Sequence, residues 1–337
     1  TKYLLQFIVL LLFKNYYAYA IIIPLTTLLS NVGSAFIAEK YYPQYKCRGE
    51  IEKEEKSEIR EKVTALLYNK IGVAIINGSD NIVISTFLGL RMLGIYSSYY
   101  YIFSMLHSFF DVFHSAITAG IGNSIVTEKI ETNYTLFERL NFINTWIVGW
   151  CAICLCCLYQ PFMYIWVGRD ATLPVGFSII MSIYFYFWMI RFITLIFKNA
   201  QGLWRQDRFR SLLEGLFNLV LNLCLVKKIG IYGITISTVV AMLIVSLPWE
   251  TNVLFKHYFN KSPKHYYIET VLRFILMLVI GMFTYFLCML INAGEWGTLV
   301  LRALICIVLP NVIIMFVYRK TDNFDYAKKM LVRIIKR

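Results

Sequence analysis

From Tyr68 to Tyr100 the chain reads YNKIGVAIINGSDNIVISTFLGLRMLGIYSSYY, and its first part is an apolar run of membrane length that contains Lys70, Asn77, Asp80 and Asn81. A charge inside hydrocarbon must be paired, neutralised or hydrated, so each such residue marks a candidate functional position. Other apolar runs carry polar residues in the same way. Residues 93–119 hold Tyr96, Tyr100, His107, Asp111 and His114, and 173–197 hold Tyr184, Trp188 and Arg191, with Lys198 at the mouth. Residues 210–226 hold Ser211, Glu214, Asn218 and Asn222, and 230–255 hold Thr235, Thr238 and Glu250. Spacings of three and four place such residues on one helix face. Lipid satisfies none of them, so they must face one another or a wet cavity.

The donor types limit the chemistry. Asp80, Glu214, Asn218 and Thr238 offer oxygen only, which suits Na+ or H+ coupling and not a soft metal. His107 and Asp111, four residues apart, read either as a satisfied pair or as a proton relay. Asn218, Asn222 and Thr235 equally suit hydrogen bonds between helices. Lys70 stands near a helix end and can snorkel or hold a ligand. Arg191 lies too deep for packing alone and is a candidate to face a substrate cavity.

Elements that position these groups follow from composition. Of 337 residues 58% are hydrophobic and 16% charged, with mean hydropathy +0.61. A soluble fold of this length cannot hide that much apolar surface, so an all-α polytopic membrane bundle is expected. At about 20 residues per span, a partial helix falls at 2–13. Spans fall near 17–38, 63–88, 93–119, 141–166, 173–197, 210–226, 230–255, 269–291 and 298–317. The helix at 210–226 is short and polar, a pointer to a transport site. The first apolar run is too short to span and no Met precedes it, so the chain is expected to be truncated at its N-terminus.

Orientation rests on Lys and Arg. Of the 33 present, 24 lie in 39–62, 120–140, 198–210, 256–273 and 318–337, against six in the alternate loops. That asymmetry places the first set, and the C-terminus, in the cytoplasm. It accounts for the net charge of +13 as a topology signal, and no nucleic-acid motif accompanies it. The charged stretch 39–62 pairs Glu52 with Lys56 and Glu58 with Lys62 at i,i+4, and reads as a partly helical cytoplasmic hinge or an ordinary loop. In the tail, Ala327, Leu331 and Ile334 share a face opposite basic residues, as in a helix lying on membrane lipids. Eight cysteines are present, four of them within 151–157 with no His nearby. They read as small residues of a packed helix and not as a metal or disulfide framework.

Several blocks together resemble a known family. They are Lys40-Tyr41-Tyr42-Pro43, Asn69-Lys70-Ile71-Gly72, Ser79-Asp80-Asn81-Ile82-Val83-Ile84-Ser85, Gly89, and Gly94-Ile95-Tyr96-Ser97. Later come Asn199-Ala200-Gln201-Gly202-Leu203, Asp207-Arg208-Phe209-Arg210 and Lys227-Lys228-Ile229-Gly230-Ile231-Tyr232-Gly233-Ile234. In order and spacing these resemble the Wzx-type polysaccharide flippases, in the superfamily that includes multidrug antiporters and the lipid II flippase. The resemblance implies a fourteen-helix, two-lobe fold of which this chain holds helices five to fourteen. On that pattern 1–38 ends the N-terminal lobe, 39–62 is the hinge, 63–256 is a six-helix C-terminal lobe, 257–319 adds two helices, and 320–337 is the basic tail.

The resemblance also implies function. The substrate would be an undecaprenyl-pyrophosphate-linked oligosaccharide, flipped across the inner membrane beside other polysaccharide-assembly proteins, with no bond made or broken. Related lipid II flippases place a sodium site on helices whose positions here match Asp80, Glu214, Asn218 and Thr238. Lys70 and Arg191 would attract the pyrophosphate; Asn77, Asn81, Tyr96 and Tyr100 would line the sugar path. Two alternatives stay open: a multidrug or cation antiporter on the same fold, and a membrane polysaccharide polymerase, which the short outer loops disfavour.

Overall fold

A computed structural model of the chain describes residues 2–45 and 50–335. No strand occurs among the described residues. The chain divides into two units, Thr1–Glu58 and Ile59–Arg337. In the first, α1 (Lys2–Phe13) packs on α2 (Tyr16–Tyr41). The turn between them uses Lys14 at φ +46° and Asn15, whose side-chain oxygen accepts from the Tyr17 N–H at 2.8 Å and caps α2.

The second unit is an all-helical bundle. Its elements are α3 (Lys53–Phe87, which begins just before the boundary), α4 (Leu90–Thr127), α5 (Ile130–Trp166), α6 (Val175–Ile190), α7 (Phe192–Ala200), a single turn α8 (Trp204–Asp207) and α9 (Arg210–Ile229). After these come α10 (Ile231–Ala241), α11 (Leu247–Leu254), α12 (Lys264–Met289), α13 (Gly294–Tyr318) and α14 (Asp322–Ile335). The long α5 is the spine, with α6, α7, α12, α13 and α14 all packed against it. Its apolar side meets Tyr99, Phe177, Phe185 and Met189 in one core, and Phe137 meets Phe197, Phe255 and Phe259 in a second.

Two close approaches set the polar helices. Gly72 of α3 lies so near α9 that a Cβ there would fall 2.3 Å from the Ser211 carbonyl carbon, and one on Gly215 would fall 3.2 Å from the Gly72 oxygen. Small residues let the two backbones touch, as in membrane helix pairs generally, and Asn69 donates to Ser211 Oγ at 3.0 Å beside the contact. Further along, Gly230 takes φ +59°, which a side chain would resist, and turns α9 straight back into α10.

Two spans are broken. At Arg191 the helix stops and restarts, and Asn144 of α5 donates to the Met189 carbonyl at 3.0 Å. A side chain inserted into the helical ladder is a recognised cause of such kinks. Between α10 and α11 the chain runs as a π-helix over Met242–Ser246, just before Pro248, and a second π-turn covers Phe255–Phe259. Such bulges gather at functional sites.

Seven helical stretches are long and apolar enough to cross a membrane: Tyr16–Tyr41, Ile130–Trp166, Val175–Ala200, Trp204–Ile229, Ile231–Phe259, Lys264–Met289 and Gly294–Tyr318. The expected ten spans include three more. Of these, α1 is only 12 residues long, while α3 and α4 are long but interrupted by Asn69, Lys70, Asp80 and Asn81 or by Tyr, Ser and His. The expected short helix at 210–226 is corrected: with α8 it belongs to a 26-residue stretch, Trp204–Ile229. The tail is helical as expected. It docks on α5, with Phe324 stacked on Trp146 at 5.7 Å and Arg139 4.7 Å from the Tyr326 ring. The Leu331 side chain, the Ile334 side chain and Cys47 lie outside the described residues.

Candidate functional site

The parallel contact of α3 with α9 at Gly72 carries Asp80, two turns on, against the polar face of α9. Asp80 Oδ1 accepts from Asn222 Nδ2 at 2.7 Å, and Oδ2 accepts from the Thr238 hydroxyl of α10 at 3.3 Å. Asn218 Nδ2 donates to the same Thr238 oxygen at 3.0 Å. Asn218 Oδ1 accepts from Asn222 at 3.1 Å and from Ser79 at 3.4 Å. One carboxylate is thus held by an amide and a hydroxyl from two other helices, and no cation is paired with it among the described residues. The Asn222 Oδ1 atom is buried without a hydrogen-bond partner. Asp80, Asn222 and Thr238 therefore present carboxylate, amide carbonyl and hydroxyl oxygens together, a set that suits a hard monovalent cation or a proton.

A larger cluster lies along the same helix toward its N-terminus. Arg191 grips Glu250 with two hydrogen bonds, at 2.9 and 2.6 Å, and stands 3.8 Å from Glu214. Arg210 contacts Glu214 at 2.9 Å, Asp207 at 3.1 Å, Glu250 at 3.1 Å and Ser246 at 2.9 Å. Lys198 pairs with Asp207. All six charged side chains are buried. Three cations and three carboxylates balance, which is the condition for burying charge at all. The cluster joins α7, α8, α9, α11 and the Arg191 break. The π-bulge delivers Ser246 and Glu250 to it.

The α9 sequence explains why both clusters share one helix. Arg210, Glu214, Asn218 and Asn222 recur every four residues, so a single stripe passes from the ion pairs to the Asp80 group. Beside it runs an aromatic wall. Tyr96 stacks on Tyr100 (6.1 Å between ring centres) and Tyr100 on Phe103 (5.4 Å). Phe103 in turn lies on Tyr184 (4.6 Å), and the Arg191 guanidinium sits 5.9 Å from the Trp188 ring.

The structure brings Asp80, Asn218 and Thr238 together as the sequence suggests, but it places Glu214 elsewhere. That carboxylate is one turn from Asn218 and is engaged by Arg210 and Arg191. Arg191 is likewise paired and does not offer a free charge. Lys70 is exposed and has no carboxylate partner among the described residues, and Asn81 is exposed. Tyr96 is buried and Tyr100 half-buried. The Asn77 side chain lies outside the described residues. His107 Nδ1 meets Asp111 at 3.1 Å on a partly exposed face; its ring contacts are Phe103, Trp188 and Phe192.

Sequence reasoning missed the partners. Lys198 and Arg210 look like cytoplasmic loop cations when Lys and Arg are counted for topology, yet both are buried in the ion-pair cluster. The signal was present in the i,i+3 and i,i+4 run Asp207, Arg210, Glu214. Comparison with known proteins supplies no assignment: no family model, no curated protein and no solved structure matches this chain.

Proposed function

We propose that the chain takes part in moving a lipid-linked oligosaccharide across the bacterial inner membrane by alternating access, coupled to Na+ or H+. The observation that carries this reading is Asp80: a carboxylate without a counter-charge, braced by Asn222 and Thr238 from two other helices inside a bundle of membrane-length helices. Catalysis of bond formation has no role in it. A cation entering this site takes the Asp80 oxygens, the Thr238 hydroxyl and the free Asn222 carbonyl, and so draws α3 onto α9 and α10. The remainder of the mechanism assigns α1, α3 and α4 to the membrane as well, giving about ten spans with a cytoplasmic C-terminus.

The charged residues then divide in role. Lys70, exposed and without an ion pair among the described residues, would meet the pyrophosphate. Arg191, clamped by Glu250, is reassigned from substrate binding to a closure that must loosen when the lobe moves. With Arg191 neutralised by Glu250, the antiporter reading also stays open. A partly buried aromatic wall beside a carboxylate with no counter-charge among the described residues equally fits a drug–cation exchanger, so substrate identity is the point to test. In a strain lacking its own flippase, the full-length protein should restore surface polysaccharide and Asp80→Asn should abolish it at equal expression. Restoration by Asp80→Asn refutes ion coupling through this site. Failure of the unaltered protein, together with gain of resistance to cationic drugs, favours the exchanger.

A further inference from the structure

Three buried thiols from three helices converge on the side of α5 away from the polar stripe. The sulfurs of Cys157 (α5), Cys288 (α12) and Cys306 (α13) all lie within 4.8 Å of one another, and each side chain is at most 1% exposed. Three thiolates bound about 2.3 Å from a shared zinc ion stand about 4 Å apart, so the group needs little movement to enclose one. The cysteines are free, and a disulfide between any two would strand the third. Cysteine is a good small core residue, but packing alone does not require three sulfurs to share one point.

The surroundings bear on the ion. Arg302 is four residues before Cys306 and so shares its helix face. Among the described residues its Nε is buried without a partner and it makes a long hydrogen bond, 3.4 Å, to the Ile291 carbonyl. Three thiolates around a divalent ion carry one net negative charge, which Arg302 balances. With Cu+ the same set would carry two. Cys157 and Arg302 also line a cavity of about 440 Å³, with Asn292 and Glu295 in the same lining, that offers room for a fourth, water ligand. On the opposite side, Trp150 donates to the Cys306 carbonyl at 2.8 Å and fixes that turn of α13.

We propose that Cys157, Cys288 and Cys306 form a zinc site that staples the α12–α13 pair to α5. The test uses the full chain, purified in detergent, reduced, reloaded with Zn2+ and washed. Metal analysis should find one Zn2+ per chain in the unaltered protein and in Cys151→Ala, whose thiol lies outside the trio, and none in Cys157→Ala/Cys306→Ala. Cd2+ titrated into the unaltered protein should give a thiolate-to-metal charge-transfer band that needs no variant to interpret. Arg302→Gln should weaken Zn2+ binding about tenfold, the lower end for an outer-shell partner. The site is refuted if the unaltered reduced chain binds neither ion, or if the double variant binds as much as the unaltered chain. It is also refuted if intact mass shows that two of the three cysteines are already joined in the unreduced protein.

Discussion

The ion-pair cluster makes a sharp prediction because its charges balance. Glu250 lies 2.6 Å from Arg191 and 3.1 Å from Arg210. At an effective dielectric near 20, the two contacts are worth about 6 and 5 kcal/mol before desolvation. Glu250→Gln keeps the shape and removes the charge, leaving three buried cations against two carboxylates. Breaking a buried pair in this way costs about 3–5 kcal/mol. Arg191→Met leaves the opposite excess and should cost a similar amount. The double variant restores neutrality. Arg210 keeps Glu214 and Asp207 and Lys198 keeps Asp207, while the contacts of Arg191 with Glu250 and Glu214 and of Arg210 with Glu250 are lost together. Its cost should fall below that of either single change, so the double-mutant cycle should return a coupling of several kcal/mol, within the range of about 1.5–7 measured for close charge pairs. The assay is thermal unfolding of the purified full chain in detergent. For a unit of this size the single variants should melt about 10 °C lower, and the double should recover most of that. Simple additivity would refute mutual compensation. The double variant also separates roles: if the cluster is a closure that must open and re-form, the protein should fold but transport poorly, and unimpaired transport would leave the cluster only structural.

Two further outcomes follow from the Asp80 group and its support. Thr238→Val removes the hydroxyl that donates to Asp80 and accepts from Asn218; the unmet bonds cost about 1–3 kcal/mol, and the cation concentration for half-maximal transport should rise about tenfold, measured in vesicles with an imposed gradient. An unchanged cation dependence would place the coupling site elsewhere. Gly72→Val drives a side chain into the Ser211 backbone, so α3 should separate from α9; a disulfide engineered between cysteines at positions 69 and 211, quick to form in the otherwise unaltered chain, should form slowly in the variant.

The helices were legible in the sequence because apolar length and charge-free runs depend on local composition. Their interruptions were less so. The kink at Arg191 depends on Asn144 reaching in from α5, and nothing near residue 191 announces it. The Asp80 group was half legible. Asp80, Asn218 and Thr238 each stand out as polar atoms in apolar runs, but Asn222, which makes the shortest bond to Asp80, reads equally well as glue between helices.

Glu214 shows where reading one residue type at a time fails. In a list of oxygen donors it is indistinguishable from Asp80, and it sits four residues from Asn218 on the right face. What separates them is counter-charge. Arg210 is one turn before Glu214, and Arg191 and Glu250 arrive from other helices. Asp80 has no such neighbour, because the turn before it on α3 contributes Ile76 and the facing turns of α9 contribute amides. A buried carboxylate beside guanidinium groups is already neutral, and a cation would have to displace an arginine to bind it. One held only by amide and hydroxyl donors has no fixed counter-charge and is left to take up a proton or a mobile cation. On that argument Asp80, and not Glu214, is the carboxylate suited to the proposed ion coupling, and the i,i+4 arginine in the sequence was the available sign that Glu214 belongs to the cluster.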